Sequence, residues 1–100
     1  MPESPWINFE TFAAQVNTPF RLKPAETSGV ELRLVEANDF STPRQEMFSL
    51  QFRGPREPFL PQGIYSMEHD QLGPLDMFIV PIGRDESGYR YEAIYNRVRE

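Results

Sequence analysis

Residues 48–55 read FSLQFRGP, and this stretch decides the fold. Large apolar residues alternate with polar ones over its first five positions, and a period of two is typical of a β-strand with one buried face. Gly54-Pro55 then ends the strand, because proline has no N–H to donate to a sheet. Arg53 falls on the polar face by alternation alone, so we interpret it as a solvated or ion-paired arginine rather than a ligand-binding one.

The same alternation recurs on both sides of this stretch. It predicts short strands at 20–23, 29–37, 46–53, 63–69, 74–82 and 89–96. The chain also contains 10 prolines, and a proline inside a helix costs about 3 kcal/mol, so their spacing favours strands and turns. Five or six short strands indicate a mainly β fold, a small antiparallel β-barrel or sandwich over residues 20–96.

One segment near the N-terminus has the period of a helix instead. In residues 6–16, WINFETFAAQV, apolar side chains recur every three or four positions, and Asn8 is a suitable N-cap. The residues 17–19, Asn-Thr-Pro, end this segment. We therefore predict a single domain over residues 1–100, with a flexible start at 1–5 and one short helix that caps the strands or lies across one face.

Charge and composition exclude several classes of function. The net charge is −5, from 15 acidic and 10 basic residues, and the sequence has no run of Lys or Arg. Proteins that bind nucleic acid or anionic membranes carry a basic surface, so we expect neither as a partner. The sequence has no cysteine, and it shows no signal peptide or apolar membrane span. We expect a cytoplasmic protein, or a component of a particle assembled in the cytoplasm.

The sequence offers little support for catalysis. His69 is the sole histidine and stands beside Asp70, but neighbouring residues of a strand point to opposite faces. We therefore interpret His69 as a partner of turn backbone groups rather than a general base. No G-x-S-x-G nucleophile motif and no glycine-rich phosphate loop is present, and one histidine cannot supply a histidine-rich metal site. We expect no enzymatic activity, no cofactor and no metal.

The strand at 74–82 is apolar on both faces, which is unusual in a chain too small for two covering layers. Phe78 and Val80 lie opposite its other apolar residues, and tyrosine is enriched at protein interfaces. The predicted interaction surface consists of Phe78, Val80, Tyr65, Tyr89, Tyr91 and Tyr95. An alternative is that the tyrosines line the barrel wall.

Two functional hypotheses follow from these residues. The first is a non-enzymatic module for protein interaction or assembly, which binds a partner protein or a second copy, with edge-strand pairing as one route. The alternative is a small-ligand-binding or hydrolytic site at the mouth of the barrel around His69 and Arg53. A barrel of five or six strands leaves little space inside, which favours the first hypothesis.

Four segments carry a resemblance to a known family. Residues 48–55, 60–73, 78–83 and 91–96 match, in order, F-S-L-x-F-x-G-P, L-x-Q-G-x-Y-x-x-x-H-x-x-L-G, F-x-x-P-x-G and Y-E-A-x-[YF]-N. Over about residues 9–96 the chain resembles a family of small bacterial proteins known only as a domain of unknown function. The resemblance implies no assigned activity. It also implies an accessory role in a phage-tail-like structure, since genes of this family lie near those of phage-tail-collar-like proteins.

Overall fold

The structure is a computed structural model that describes residues 7–23 and 29–98. These residues form one helix and six strands: α1 Phe9–Ala13, β1 Pro19–Leu22, β2 Glu31–Asp39, β3 Gln45–Gly54, β4 Gly63–His69, β5 Gly73–Asp85 and β6 Gly88–Val98. All strand pairs are antiparallel, and the order β1-β2-β3-β6-β5-β4 closes into a barrel because β1 also pairs with β4. The predicted mainly β fold with one N-terminal helix is confirmed.

Alternation along the strands fills the barrel with apolar side chains. The residues that are almost completely inaccessible to solvent are Phe12, Phe20, Leu32, Leu34, Phe48, Leu50, Phe52, Met67, Met77, Ile79 and Tyr91. The predicted inward face of residues 48–52, which consists of Phe48, Leu50 and Phe52, is thus buried. Burial of each such side chain contributes about 1.5–3 kcal/mol, so the closed ring is held mainly by this shared interior.

Strand β5 changes its partner midway along its length. Residues 73–79 pair with β4, and the ladder with β6 runs from Val80 to Asp85. A register shift between Pro81 and Gly83 interrupts that second ladder, and such bulges bend a strand. Beyond the pair of Val80 with Glu92, β5 and β6 both continue as strands but no longer pair with each other.

The hairpin between β5 and β6 depends on a glycine. Gly88 has φ +141°, and a Cβ at this position would lie 2.0 Å from the carbonyl oxygen of Gly54. Only a residue without a side chain allows the two backbones to approach so closely. Gly88 is therefore required by the contact of β6 with β3.

Helix α1 is shorter than the predicted 6–16. It spans residues 9–13, and the chain then turns through Asn17, which has φ +76°. The predicted N-cap is confirmed, because the Asn8 side chain accepts a hydrogen bond from the Thr11 N–H at 2.9 Å. Turn residues 14–17 follow the helix, and the left-handed Asn17 precedes Thr18 and the start of β1. Trp6 and the predicted flexible start lie outside the described residues.

The helix inserts Phe12 into the core beside the start of β3 and the end of β6. Its ring lies 5.3–6.5 Å from the rings of Phe20, Phe48 and Tyr95. Such aromatic contacts contribute beyond the buried area alone. The helix therefore caps the barrel, as one of the two predicted arrangements. With five residues, it is far too short to cross a membrane, and the described residues contain no helix that would.

Leu60 packs into the core from the segment between β3 and β4. It is buried, and its backbone N–H donates to the Tyr91 hydroxyl at 3.1 Å. The Tyr65 hydroxyl donates to the carbonyl of Pro61 at 2.7 Å on the same segment. Two tyrosine hydroxyls thus hold this connecting segment to the barrel.

We expect Tyr91→Phe to lower the free energy of unfolding by about 1–3 kcal/mol, because the buried N–H of Leu60 loses the hydroxyl that accepts its hydrogen bond. The matched control is Tyr65→Phe, whose carbonyl partner is exposed and can bond to water instead. Urea denaturation followed by fluorescence measures both values. Equal losses in the two variants would contradict this role of Tyr91.

Candidate functional site

The outer surface of β4, β5 and β6 carries a row of exposed apolar side chains. Ile64 on β4 pairs directly with Phe78 on β5. On β6, Ile94 lies two residues beyond Glu92, the partner of Val80, and is exposed on the same outer face of the barrel. Ile64, Phe78 and Ile94 are 73%, 50% and 63% exposed. Together with the half-buried Val80 they form what we call the outer patch.

The edge of the outer patch is acidic. Asp76 precedes Phe78 by two residues on β5, and Glu92 precedes Ile94 by two residues on β6, so both side chains share the outer face of the patch. Asp76 accepts a hydrogen bond from the Ser66 hydroxyl at 2.8 Å. In the described part of the chain neither carboxylate forms an ion pair. Two carboxylates thus border the exposed apolar side chains of the patch.

The four tyrosines of the predicted interaction surface do not join the outer patch. Tyr91 is fully buried, so its assignment to the surface was wrong. Tyr95 stacks on Phe48 with ring centres 5.0 Å apart, and burial raises its pKa to about 12. Tyr65 and Tyr89 are half-buried and pack against the same core. The physical reason is alternation, because odd-numbered positions of β4 and β6 face inward, and the tyrosines line the wall.

The outer patch thus contains Phe78 and Val80 from the predicted set, together with Ile64 and Ile94, which the prediction missed. A signal for these two was present, because alternation places both opposite the inward-facing residues of their strands. Outward positions of such strands usually carry polar residues, so an isoleucine there is unusual. Apolar residues on the polar face of a strand were therefore the better indicator of this surface than the tyrosines.

His69 has a structural role at the turn between β4 and β5. Its Nδ1 accepts hydrogen bonds from the backbone N–H groups of Gln71 and Leu72, at 3.0 and 3.2 Å. The proton therefore resides on Nε2, which donates to the Thr18 hydroxyl at 2.8 Å. That hydroxyl in turn donates to the Gln15 carbonyl. Both ring nitrogens are engaged and the side chain is only 3% exposed, so no atom of His69 is available to a substrate.

Arg53 is ion-paired. Its two terminal nitrogens donate to the two carboxylate oxygens of Asp85, each at 3.0 Å, and it also donates to the Ser87 hydroxyl. This bidentate geometry raises the pKa of Arg53 and holds the pKa of the Asp85 carboxyl well below its usual range. The interaction ties the end of β3 to the hairpin between β5 and β6.

The predicted alternative site around His69 and Arg53 is not assembled. In the ring, β1 and β2 lie between the strand of His69 and the strand of Arg53, so three strand spacings of about 4.8 Å separate them. His69 packs on Phe20 in the interior, whereas Arg53 lies on the outer surface. A substrate therefore cannot touch both side chains.

An open cleft of about 870 Å³ lies beside the hairpin of β5 and β6. Its lining consists of Arg56, Glu57, Phe59, Arg84, Asp85, Glu86 and Tyr89. Phe59 packs on Tyr89 with ring centres 5.0 Å apart. The lining mixes two arginines with three carboxylates, one of which is the partner of Arg53, so it favours neither anions nor cations. Within residues 7–23 and 29–98, no three carboxylate or imidazole groups come together as metal ligands.

The family assignment comes from a match over most of the chain. The model of the family described as "Domain of unknown function (DUF6916)" matches residues 7–95. The chain belongs to the DUF6916 family. No curated protein and no solved structure matches it. The predicted membership of a family known only as a domain of unknown function is confirmed, and the link to phage-tail-collar-like proteins stays a prediction.

We expect acid to destabilise this DUF6916 domain through His69. Burial lowers the pKa of His69; the charge of Asp70 opposes this shift and that of Arg21 adds to it. A histidine whose pKa is lower in the folded state contributes stability above the unfolded-state pKa of about 6.5, and this contribution is lost as the pH falls below that value. Protonation of Nδ1 also removes the acceptor of two amides.

Urea denaturation between pH 7.5 and 5.5 measures this effect. One proton changes the free energy of unfolding by at most about 1.4 kcal/mol per pH unit. The control is His69→Asn, which keeps an acceptor but cannot titrate, so that the carboxylates alone determine its pH dependence. A slope for the native chain equal to that of the control would refute the role of His69.

Proposed function

We propose that this domain is a non-enzymatic protein-interaction module that docks a partner protein through the outer patch. The observation that carries the proposal is the row of Ile64, Phe78 and Ile94, each at least half exposed, across three neighbouring strands. Single exposed apolar residues are normal, but contiguous ones on a small domain mark interaction sites. Here they stand on the rigid wall of a barrel rather than on a loop, so the surface is preformed.

The energetics favour binding over any structural role for these side chains. Transfer of an isoleucine or phenylalanine side chain from water to an apolar environment gains about 1.5–3 kcal/mol. The domain forgoes this gain at three neighbouring positions of its wall. A partner that covers them recovers it, and a compact apolar centre from which water is excluded is the usual source of affinity at protein interfaces.

The charge around the patch supports a partner of a different kind from the domain itself. Asp76 and Glu92 border the apolar side chains, and the whole chain has a net charge of −5. A second copy docked face to face would place the same carboxylates near each other, which disfavours self-association. A partner with Lys or Arg around an apolar centre is attracted both by these two carboxylates and by the net negative charge of the whole chain. We extend the proposal to a component of a phage-tail-like assembly, the setting that the family resemblance implies.

The two side chains considered for chemistry support binding rather than catalysis. His69 uses both ring nitrogens in the turn between β4 and β5, and Arg53 is held by Asp85. A general base needs a free nitrogen within reach of a substrate proton. Their engagement leaves the outer patch as the surface with the clearest capacity to bind.

A photo-crosslinking amino acid tests this proposal in the native cell. Benzoylphenylalanine is introduced in place of Phe78, and in place of Phe40 as the control, since Phe40 is a 58% exposed phenylalanine beyond the end of β2. We expect one partner protein to crosslink from position 78 and not from position 40. Mass spectrometry identifies the partner for purification.

The affinity of the purified pair gives the quantitative test. We expect Phe78→Asp or Ile64→Asp to raise the dissociation constant at least about 10-fold, which corresponds to about 1.4 kcal/mol. Phe40→Asp leaves it unchanged. All three positions are exposed, so thermal unfolding should show folded variants. Full affinity in Phe78→Asp, or an equal loss in Phe40→Asp, contradicts docking at the outer patch.

A further inference from the structure

The first half of β5, residues 73–79, has strand pairing on one side only. It pairs with β4 over seven consecutive residues, whereas its ladder with β6 begins only at Val80. A strand inside a sheet uses alternate N–H and C=O groups toward each of its two neighbours. Among the described residues, no strand pairs with this segment on the side away from β4. One row of its backbone groups is thus available as a template.

The outer patch lies on the same segment. Phe78 belongs to it, and Ile64 pairs with Phe78 from the β4 side. Ile94 lies on β6 beyond the point at which the ladder between β5 and β6 ends. The exposed apolar side chains therefore flank the one part of β5 that lacks a second neighbour. Strand addition requires an unpaired backbone edge and side chains beside it that can contact the added strand. The main-chain hydrogen bonds then give affinity, and the side chains give specificity.

We propose that an extended segment of the partner protein pairs as an added strand with residues 73–79 of β5. This inference rests on the proposed function and names how the partner docks. The added strand runs beside β5 at the place where β6 diverges from it. Its outward side chains then lie next to Phe78 and Asp76, which share the outer face of β5.

The chemistry of the occupant follows from those two side chains. An added strand presents cross-strand neighbours to Phe78 and Asp76 at positions two residues apart. An apolar residue opposite Phe78 and a Lys or Arg opposite Asp76 are the favourable pairs. The segment that fits is therefore extended, with an apolar and a basic residue two positions apart.

A second copy of this chain fits the same edge poorly. Residues 73–79 have Asp76 at their centre. Antiparallel pairing of this segment with itself in full register places Asp76 opposite Asp76, and like charges directly opposite each other destabilise a sheet. Pro74 adds to this protection, because it has no N–H to offer and prolines on edge strands oppose edge-to-edge association. Asp76 and Pro74 thus disfavour pairing of this edge with a second copy, whereas Asp76 favours a strand with a basic residue.

Peptide binding with backbone-blocked controls tests strand addition. The probe is an acetylated and amidated octapeptide in which valine and lysine take turns at the odd-numbered positions, two residues apart on one face, and threonine occupies the even-numbered positions. Two control peptides have the same side chains but carry N-methyl groups on one or the other alternate set of peptide nitrogens. An added strand uses only one set toward β5, so we expect one control to bind at least 10-fold more weakly and the other to bind like the parent, by calorimetry.

Amide hydrogen exchange locates the contact on the protein. We expect alternate amides among residues 75–79 to exchange rapidly in the free domain and to become protected by the parent peptide. Asp76→Lys should weaken binding of this lysine-containing peptide and strengthen that of a peptide with glutamate in place of lysine. The matched control is Glu68→Lys on the outer face of β4, which should change neither.

The outcomes separate this inference from the proposed function. If both N-methylated peptides bind like the parent, or the amides of 75–79 are unaffected, the partner docks by side chains alone, and strand addition is overturned while the outer patch stands. If the parent peptide does not bind at millimolar concentration, or if Asp76→Lys leaves its dissociation constant unchanged, the proposal of a basic strand at this edge is likewise overturned. The crosslinking at position 78 tests the outer patch independently.

Discussion

The division of β5 between two partners is the constraint on which the rest of the structure depends. Its first seven residues continue the sheet from β4, and its last residues continue it into β6. Without that exchange the strands would form an open sheet, and the phenylalanines of β1 and β3 would face water. The same exchange ends the ladder between β5 and β6 at Val80 and Glu92. The change of partner along β5 therefore both closes the ring and leaves residues 73–79 paired on one side only.

The core makes this arrangement stable. Phe20 and Phe52 meet edge to face with ring centres 5.3 Å apart, and Phe12 of the helix stacks on Phe20. Between β3 and β4, the backbone N–H of Leu60 donates a hydrogen bond to the Tyr91 hydroxyl. Aromatic rings are large enough for a domain of 100 residues to bury a sufficient apolar area. The wall is therefore rigid enough to present Ile64 and Phe78 at fixed positions, as a preformed docking surface requires.

Much of the fold could be predicted from the sequence, because the alternation of a strand is local. The residues 48, 50 and 52 were assigned to the interior and lie there, and Asn8 caps the helix. For the tyrosines the sequence leaves two positions open, an interaction surface or the barrel wall, since tyrosine is common in both; in the structure they line the wall. The helix stops at Ala13 rather than at residue 16, because residues 14–17 form a turn, and apolar periodicity does not show where a helix gives way to a turn.

The candidate site was predicted only in part. Phe78 and Val80 were assigned to the surface because their strand is apolar on both faces. That Ile64 and Ile94 join them depends on strand order, which single-strand periodicity does not contain. The separation of His69 from Arg53 likewise depends on β1 and β2 lying between their strands. Pairing between strands that are distant in the sequence determines these positions, and the residue preferences of a single strand do not contain it.

Interstrand nuclear Overhauser effects in solution test the central claim most directly. The account predicts contacts between the backbone protons of β5 and β6 from the hairpin as far as Val80 and Glu92, and none between Phe78 and Ile94 or between Asp76 and Asn96. An unbroken series of such contacts through those two pairs would show that β6 occupies the edge of β5. The division of β5 between two partners would then be wrong.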